Sequence, residues 1–155
     1  MNKLRRKLQD QRGFNLIELM IVIAIIALLI GVGIPAYKSM VNNGNETSAA
    51  QSINTIKTLQ IGYAAKHRGS FAPNFDELIK STQLDERFAG ESPVVNSYIF
   101  KMTVQQPSGT KPAFYSINAD PQEGSGTRHF YFDSTLGTTK STEEERPAKA
   151  DDPTI

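Results

Sequence analysis

Glu18 is the side chain whose setting most demands a chemical explanation. It stands at the N-terminal edge of a 19-residue stretch without a charge, Leu19 to Tyr37, in which every position from Leu19 to Ile30 is apolar. As a helix that stretch covers roughly 28 Å, about the hydrocarbon thickness of a bilayer. A carboxylate at the centre of hydrocarbon costs on the order of 2.5–3.5 kcal/mol, and less near the interface. Glu18 therefore calls for a partner, which need not lie in the same chain. Five basic residues precede it: Lys3, Arg5, Arg6, Lys7 and Arg12. A basic block before an apolar run places the N-terminus on the cytoplasmic side, and the residues after Tyr37 on the other.

Other reactive side chains are few. His67 and His129 are the only histidines and there is no cysteine. Two histidines in different elements, without a third ligand, do not make a zinc site. No nucleophile motif supports a Ser-His-Asp arrangement, so no catalytic residue and no enzyme is expected. Asp120, Glu123 and Asp133 are the acids nearest to a calcium set, but the EF-hand ligand pattern is absent. No metal and no cofactor is expected. The strand aromatics alternate as core packing requires, which leaves electron conduction without support.

A secretory signal peptide, a plain anchor and a buried core helix each compete for the apolar stretch. The signal peptide fits poorly, because the run is long and Gly31-Val-Gly33 leads into Ile34-Pro35 rather than to a small-x-small cleavage site. A chain this small seldom buries a helix on all sides. A plain anchor explains the length and the basic flank but gives Glu18 no role.

Gly13-Phe14-Asn15-Leu16-Ile17-Glu18, followed by LMIVIAIIALLIGVGIPAY, resembles the N-terminus of the type IV pilins and the related type II secretion pseudopilins. The match covers about 25 residues and combines a short basic leader, a Gly–Phe junction, an acid five residues into the mature chain and a Pro after the apolar run. The resemblance implies that a membrane prepilin peptidase cuts between Gly13 and Phe14 and that the new amino group of Phe14 is N-methylated. It implies that Glu18 of an incoming subunit meets Phe14 of one already assembled, which sets the register. Physically, the cut creates a cation at Phe14, and an unpaired carboxylate in a low-dielectric bundle is costly enough to select the pairing.

Removing residues 1–13 changes the charge. Five of the 17 basic and one of the 16 acidic side chains lie there, which leaves 12 and 15, a net −3. That balance argues against a general nucleic-acid binder. Many pilins close a C-terminal loop with a disulfide, and this chain, lacking Cys, departs from that pattern.

The surrounding elements must position these residues. Residues 1–13 read as the cleaved leader. Residues 14–37 read as the transmembrane and filament-core half of a long helix, in which Gly31, Gly33 and Pro35 weaken the hydrogen-bonded ladder. A modest kink or a melted segment both fit there. In several filaments of the resembled family this segment is extended. Residues 38–68 continue the helix as an amphipathic half, with Ile53, Ile56, Leu59 and Tyr63 on one face. Asn42-Asn43-Gly44-Asn45 is poor helix material, and the expectation is a mostly continuous helix of low local stability. From Phe14 to His67 the helix would span about 80 Å.

Residues 69–95 read as a connection with a short helix over 75–80, capped by Asn74 with Glu77 three residues on. A further turn is expected over 84–88. Residues 96–141 read as an antiparallel sheet of three or four strands, 98–104, 113–118, 128–133 and a short edge at 138–141. Residues 142–155, with three consecutive acids, read as a polar tail that is mobile or loosely docked. The fold class expected is α+β, a type IV pilin-like long N-terminal helix packed on a small sheet. The segment Tyr63-Ala64, Phe71-Ala72-Pro73 to Leu78 adds a weaker likeness to pilins.

The function implied is a structural subunit of a type IV pilus, held in the inner membrane before assembly and exposed as a surface filament afterwards. The alternative is a pseudopilin of a type II secretion system forming a short periplasmic filament. The partners implied are further copies of the chain in a helical filament, the prepilin peptidase and N-methyltransferase, the inner-membrane assembly platform with its ATPase motor, minor pilins, and the lipid bilayer before assembly.

Overall fold

A computed structural model describes residues 13–155. The leader positions 1–12, with their basic residues, lie outside the described residues. The chain divides into two compact units, one ending at Lys38 and the other running from Ser39 to Ile155.

Helix α1 spans Leu16–Lys66. In the first unit the large apolar side chains of this helix, from Leu16 to Tyr37, are 45% to 74% exposed. The helix carries on across Pro35, and residues 42–45 are helical as well.

In the second unit the remainder of α1 buries Glu46, Ala49, Ile53, Ile56, Gln60 and Tyr63. These positions recur at spacings of three and four, one face of a 3.6-residue helix. Leu59, expected on that face, is partly buried beside it. The helix ends in a Schellman motif: the N–H of Gly69 donates to the carbonyl of Ala64 at 2.9 Å. Arg68 occupies the left-handed position of that motif, with φ 55°.

Helix α2, Phe75–Ser81, starts where Asn74 accepts from the N–H of Glu77 at 2.8 Å. A single 3-10 turn follows over Glu86–Phe88. The sheet then runs as a meander of β1 Val94–Val95, β2 Tyr98–Gln105, β3 Phe114–Pro121, β4 His129–Asp133 and β5 Lys140–Thr142, all neighbours antiparallel. Five strands therefore replace the three or four expected. The additional one is β1, joined to β2 through Asn96 and Ser97, whose φ values of 49° and 64° make a two-residue primed turn.

Tyr98, Phe100, Tyr115, Ile117, Phe130 and Phe132 point from the sheet onto Ile53 and Ile56, with Phe75, Leu78 and Phe88 closing the end. Each such side chain contributes about 1.5–3 kcal/mol on burial. Sheet and helix cover each other's apolar faces, which neither could do alone. Gly126 is held to glycine by contact rather than conformation: a Cβ there would lie 2.5 Å from the hydroxyl of Tyr98, which donates to the carbonyl of Arg128.

The C-terminal tail, expected to be mobile or loosely docked, is held by a specific set of contacts. Arg146 grips Asp152 with two nitrogens, at 2.9 and 2.6 Å, and the N–H of Lys149 donates to the same carboxylate at 2.7 Å. Ala148 is buried, and its carbonyl accepts from the side chain of Asn118. Beyond the clamp, the carbonyl of Pro153 accepts from Ser141 N–H at 2.8 Å, so the tail lies along the outer edge of β5. An unpaired sheet edge is thereby covered.

Candidate functional site at the N-terminal helix start

Gly13, Phe14 and Asn15 precede the helix and are exposed. Asn15 caps it: the side-chain oxygen accepts from the N–H of Ile17 at 3.2 Å. The carboxylate of Glu18 reaches back and accepts from the N–H of Asn15, also at 3.2 Å. The two residues form a reciprocal capping box. Glu18 thus has a partner in its own chain, on a backbone N–H one residue beyond Phe14. Its charge also sits where the helix macrodipole favours an anion. This role was missed in the sequence, although Asn15 and Glu18 carry the same Asn-x-x-Glu spacing that marks Asn74 and Glu77.

The geometry leaves the Gly13–Phe14 peptide exposed, with no helical hydrogen bonding of its own. The Glu18 carboxylate is turned toward the start of the helix. Farther along, a Cβ added at Gly31 or Gly33 would meet nothing within 4 Å. The isolated subunit gives no steric reason for glycine at either position. Pro35 has no N–H to offer the helix, so one carbonyl of the preceding turn loses its partner.

The residues considered for metal binding do not converge. His129 Nδ1 lies 2.6 Å from Asp120, whereas Asp133 is engaged by Tyr131, by both the N–H and the hydroxyl of Thr135, and by the N–H of Leu136. Burial, the largest single influence, pushes the Asp133 carboxyl up, but those hydrogen bonds together hold it below the usual range. His67 stacks on Tyr63 at 3.8 Å. Among the described residues no three His, Cys, Asp or Glu side chains are grouped as a metal site.

The family model described as "Prokaryotic N-terminal methylation motif" matches residues 8–34. Prepilin peptidase-dependent protein D of Escherichia coli K12 is 42% identical over 62 residues, 40% of this chain and 42% of that protein. The type IV major alpha-pilin of Moraxella bovis is 44% identical over 48 residues, 31% of this chain and 30% of that protein. The chain thus spans less than half the length of these two relatives. The type IV wide pilus major component PilA4 of Thermus thermophilus is 36% identical over 95 residues, 59% of this chain and 72% of that protein. The chain belongs to the family of type IV pilins and pseudopilins. No solved structure matches it significantly. Its N-terminal helix is long and apolar enough to cross a membrane. The long helix on an antiparallel sheet is the pilin-like architecture.

Proposed function

We propose that the chain is a structural subunit of a type IV pilus. The observation that carries the proposal is the uncovered helix: Leu16 to Tyr37 presents its large apolar side chains at 45% exposure or more, and something outside the subunit must cover them. In the precursor that cover is the inner membrane, with the N-terminus cytoplasmic. In the filament it is other copies of the same helix. The names of the relatives from Moraxella and Thermus, both pilus components, support the pilus rather than the secretion reading.

In this account residues 1–13 are the leader and prepilin peptidase cuts between Gly13 and Phe14. The new amine of Phe14 is N-methylated by the same machinery. Residues 14–37 are the membrane and filament-core half of the helix, and residues 38–68 belong to the globular part. The connection 69–95, the sheet region 96–141 and the tail 142–155 shape the surface. The assembly platform with its ATPase motor extracts the processed subunit, and minor pilins share the filament.

Glu18 has two states in this scheme. Before assembly it is held by the N–H of Asn15. On assembly the carboxylate exchanges that bond, in which only the acceptor is charged, for the Phe14 amine of a neighbour, in which both partners are charged. Because its desolvation is compensated in only one register, the pairing selects how far the incoming subunit moves along the axis. Gly31, Gly33 and Pro35 supply a weak turn in the core helix, able to extend as neighbours pack.

Glu18→Ala tests the assembly role. The variant inserts into the membrane normally, as fractionation would show, while its recovery in sheared filaments falls at least tenfold. Normal filament yield from the variant removes Glu18 from assembly.

A further inference from the structure

Positive charge collects at the C-terminal end of α1. No acid occurs between Thr47 and Phe75, whereas Lys66, His67 and Arg68 are consecutive and exposed. Lys80, in the last turn of α2, joins Lys66 and His67 in a groove of about 450 Å³. A second groove, of about 460 Å³, shares Tyr63, Lys66 and His67 with the first and continues past Arg68 to Gln106. Arg87, Arg128 and Arg146 each pair with a carboxylate, but among the described residues Lys66, Arg68 and Lys80 have no acidic partner. The acid nearest to Lys80 in the sequence, Glu77, accepts from the hydroxyl of Ser81 at 2.8 Å. Helix dipoles explain part of this cluster, because Lys66 and Lys80 stand in last turns, where a cation is favoured. They do not explain Arg68, which lies beyond the helix at φ 55°, a conformation that glycine adopts without strain. An exposed arginine in a strained place, without a carboxylate of its own, points to an anion from outside the chain.

The neutral groups narrow the class of anion. His67 lies flat on Tyr63, with ring centroids 3.8 Å apart and planes 8° from parallel, so the grooves share an aromatic plate whose outer ring is exposed. The Nδ1 of His67 is 2.9 Å from the carbonyl of Tyr63. A carbonyl only accepts, so Nδ1 carries the proton and Nε2 is left as an acceptor in the neutral ring. The hydroxyl of Ser81 is engaged as a donor on Glu77, which leaves it lone pairs to accept with. Exposed Gln83 offers both a donor and an acceptor. A phosphate dianion only accepts and leaves these acceptors unused. Sugar hydroxyls donate as well as accept, and the C–H face of a pyranose suits a flat aromatic plate.

We propose that the two adjoining grooves bind a short acidic oligosaccharide of the hexuronate class. Its carboxylates meet Lys66, Lys80 and Arg68, the last through a planar fork that matches a carboxylate. One sugar ring lies against His67, and the hydroxyls meet Nε2 of His67, Ser81 and Gln83. The site goes beyond the pilus reading and does not depend on it, because every residue in it belongs to the globular unit. A nucleic acid is the weaker candidate. Without residues 1–13 the chain carries a net −3, so a long polyanion drawn to this cluster is repelled by the rest of the surface. A short acidic sugar meets the cluster alone.

Calorimetric titration of the full-length chain in detergent micelles tests the site. The probes are trigalacturonate, galactotriose as its neutral counterpart, and an oligothymidylate of equal charge. Saturable binding of trigalacturonate alone is the expected result. Combining Lys66→Gln with Lys80→Gln should weaken that binding about tenfold, the affinity that one charged hydrogen bond supplies. Lys101→Gln, at an exposed position of β2, should leave it unchanged. Arg68→Gly separates binding from folding: it should weaken binding about tenfold while the unfolding midpoint rises. Galactotriose bound equally well, or the oligothymidylate bound as tightly, overturns the acidic-sugar assignment. No saturable binding by the folded natural chain, or binding unaltered in both Arg68→Gly and the double lysine variant, overturns the site itself. All of these outcomes leave filament formation untouched, since Glu18→Ala tests that separately.

Discussion

Replacing Gln60 by Leu leaves both backbone groups of Ala72 without partners in a buried place. The side-chain amide of Gln60 donates to the carbonyl of Ala72 at 3.1 Å and accepts from its N–H at 2.9 Å, so it imitates a paired strand between helix and connection. Each buried group left unsatisfied costs about 1–3 kcal/mol. Gln60→Leu should therefore lower stability by at least about 2 kcal/mol in denaturant unfolding, although it adds apolar volume. An unchanged midpoint would show that water or relaxation replaces the clamp. Arg68→Gly should act in the opposite direction. Arg68 holds a left-handed φ of 55° at the helix end, a conformation that costs an L residue roughly 1–2 kcal/mol and glycine little. The substitution is expected to raise the unfolding midpoint, and a fall would mean that the arginine side chain has contacts worth more than the strain. Neither residue was legible in the sequence. Gln60 is polar at a core position, and its partner lies 12 residues away. Arg68 precedes Gly69, and both take a positive φ, of which the glycine signals only its own.

At the scale of elements, periodicity carried most of the reading. The 3.6-residue recurrence along α1 and the alternation in β2, β3 and β4 were legible because each element is long enough to repeat its pattern several times. β1 is two residues long, too short for alternation to show. Composition left open whether the tail docks. Its acids and prolines resemble a disordered segment, but the clamp joins Arg146 to Asp152 across six positions, a loop closure no local rule anticipates. That clamp gives the element a pH dependence. Hydrogen bonds from Arg146, the largest cause, and from Lys149 bring the Asp152 carboxyl down to about 2 from an ordinary 3.8. Between those values the undocked tail binds a proton that the docked one does not, so docking weakens as pH falls. The contribution is full above about pH 4 and is lost as pH falls through about 2. Amide exchange at Ser141, whose N–H is bonded to Pro153, should accelerate between these limits relative to a β3 amide such as that of Ile117. Equal acceleration at both sites would mean that the whole sheet, rather than the tail, responds to acid.

The whole molecule combines a globular unit that satisfies itself with an apolar helix that does not. Within the globular unit, helix and sheet bury one another and no buried side-chain polar atom among the described residues lacks a hydrogen bond. The first unit has no such closure, and the candidate site lies at its tip. Much of that site was readable in the sequence, because a lone acid beside 19 uncharged residues is conspicuous on grounds of solvation alone. Its internal partner was less visible, because the demand for an external counter-charge drew attention from the capping geometry next to it. The central claim is that the chain is cut at Gly13, leaves the membrane and becomes the repeating unit of a surface filament. Electron microscopy with intact-mass measurement on sheared surface material from expressing cells tests it most directly. Long extracellular filaments whose subunit begins at methylated Phe14 are the result this account predicts. A processed chain confined to the envelope at native expression, with no surface filament, would contradict the pilus and favour a pseudopilin. A chain that keeps residues 1–13 in cells with an active prepilin peptidase would contradict the assembly mechanism itself.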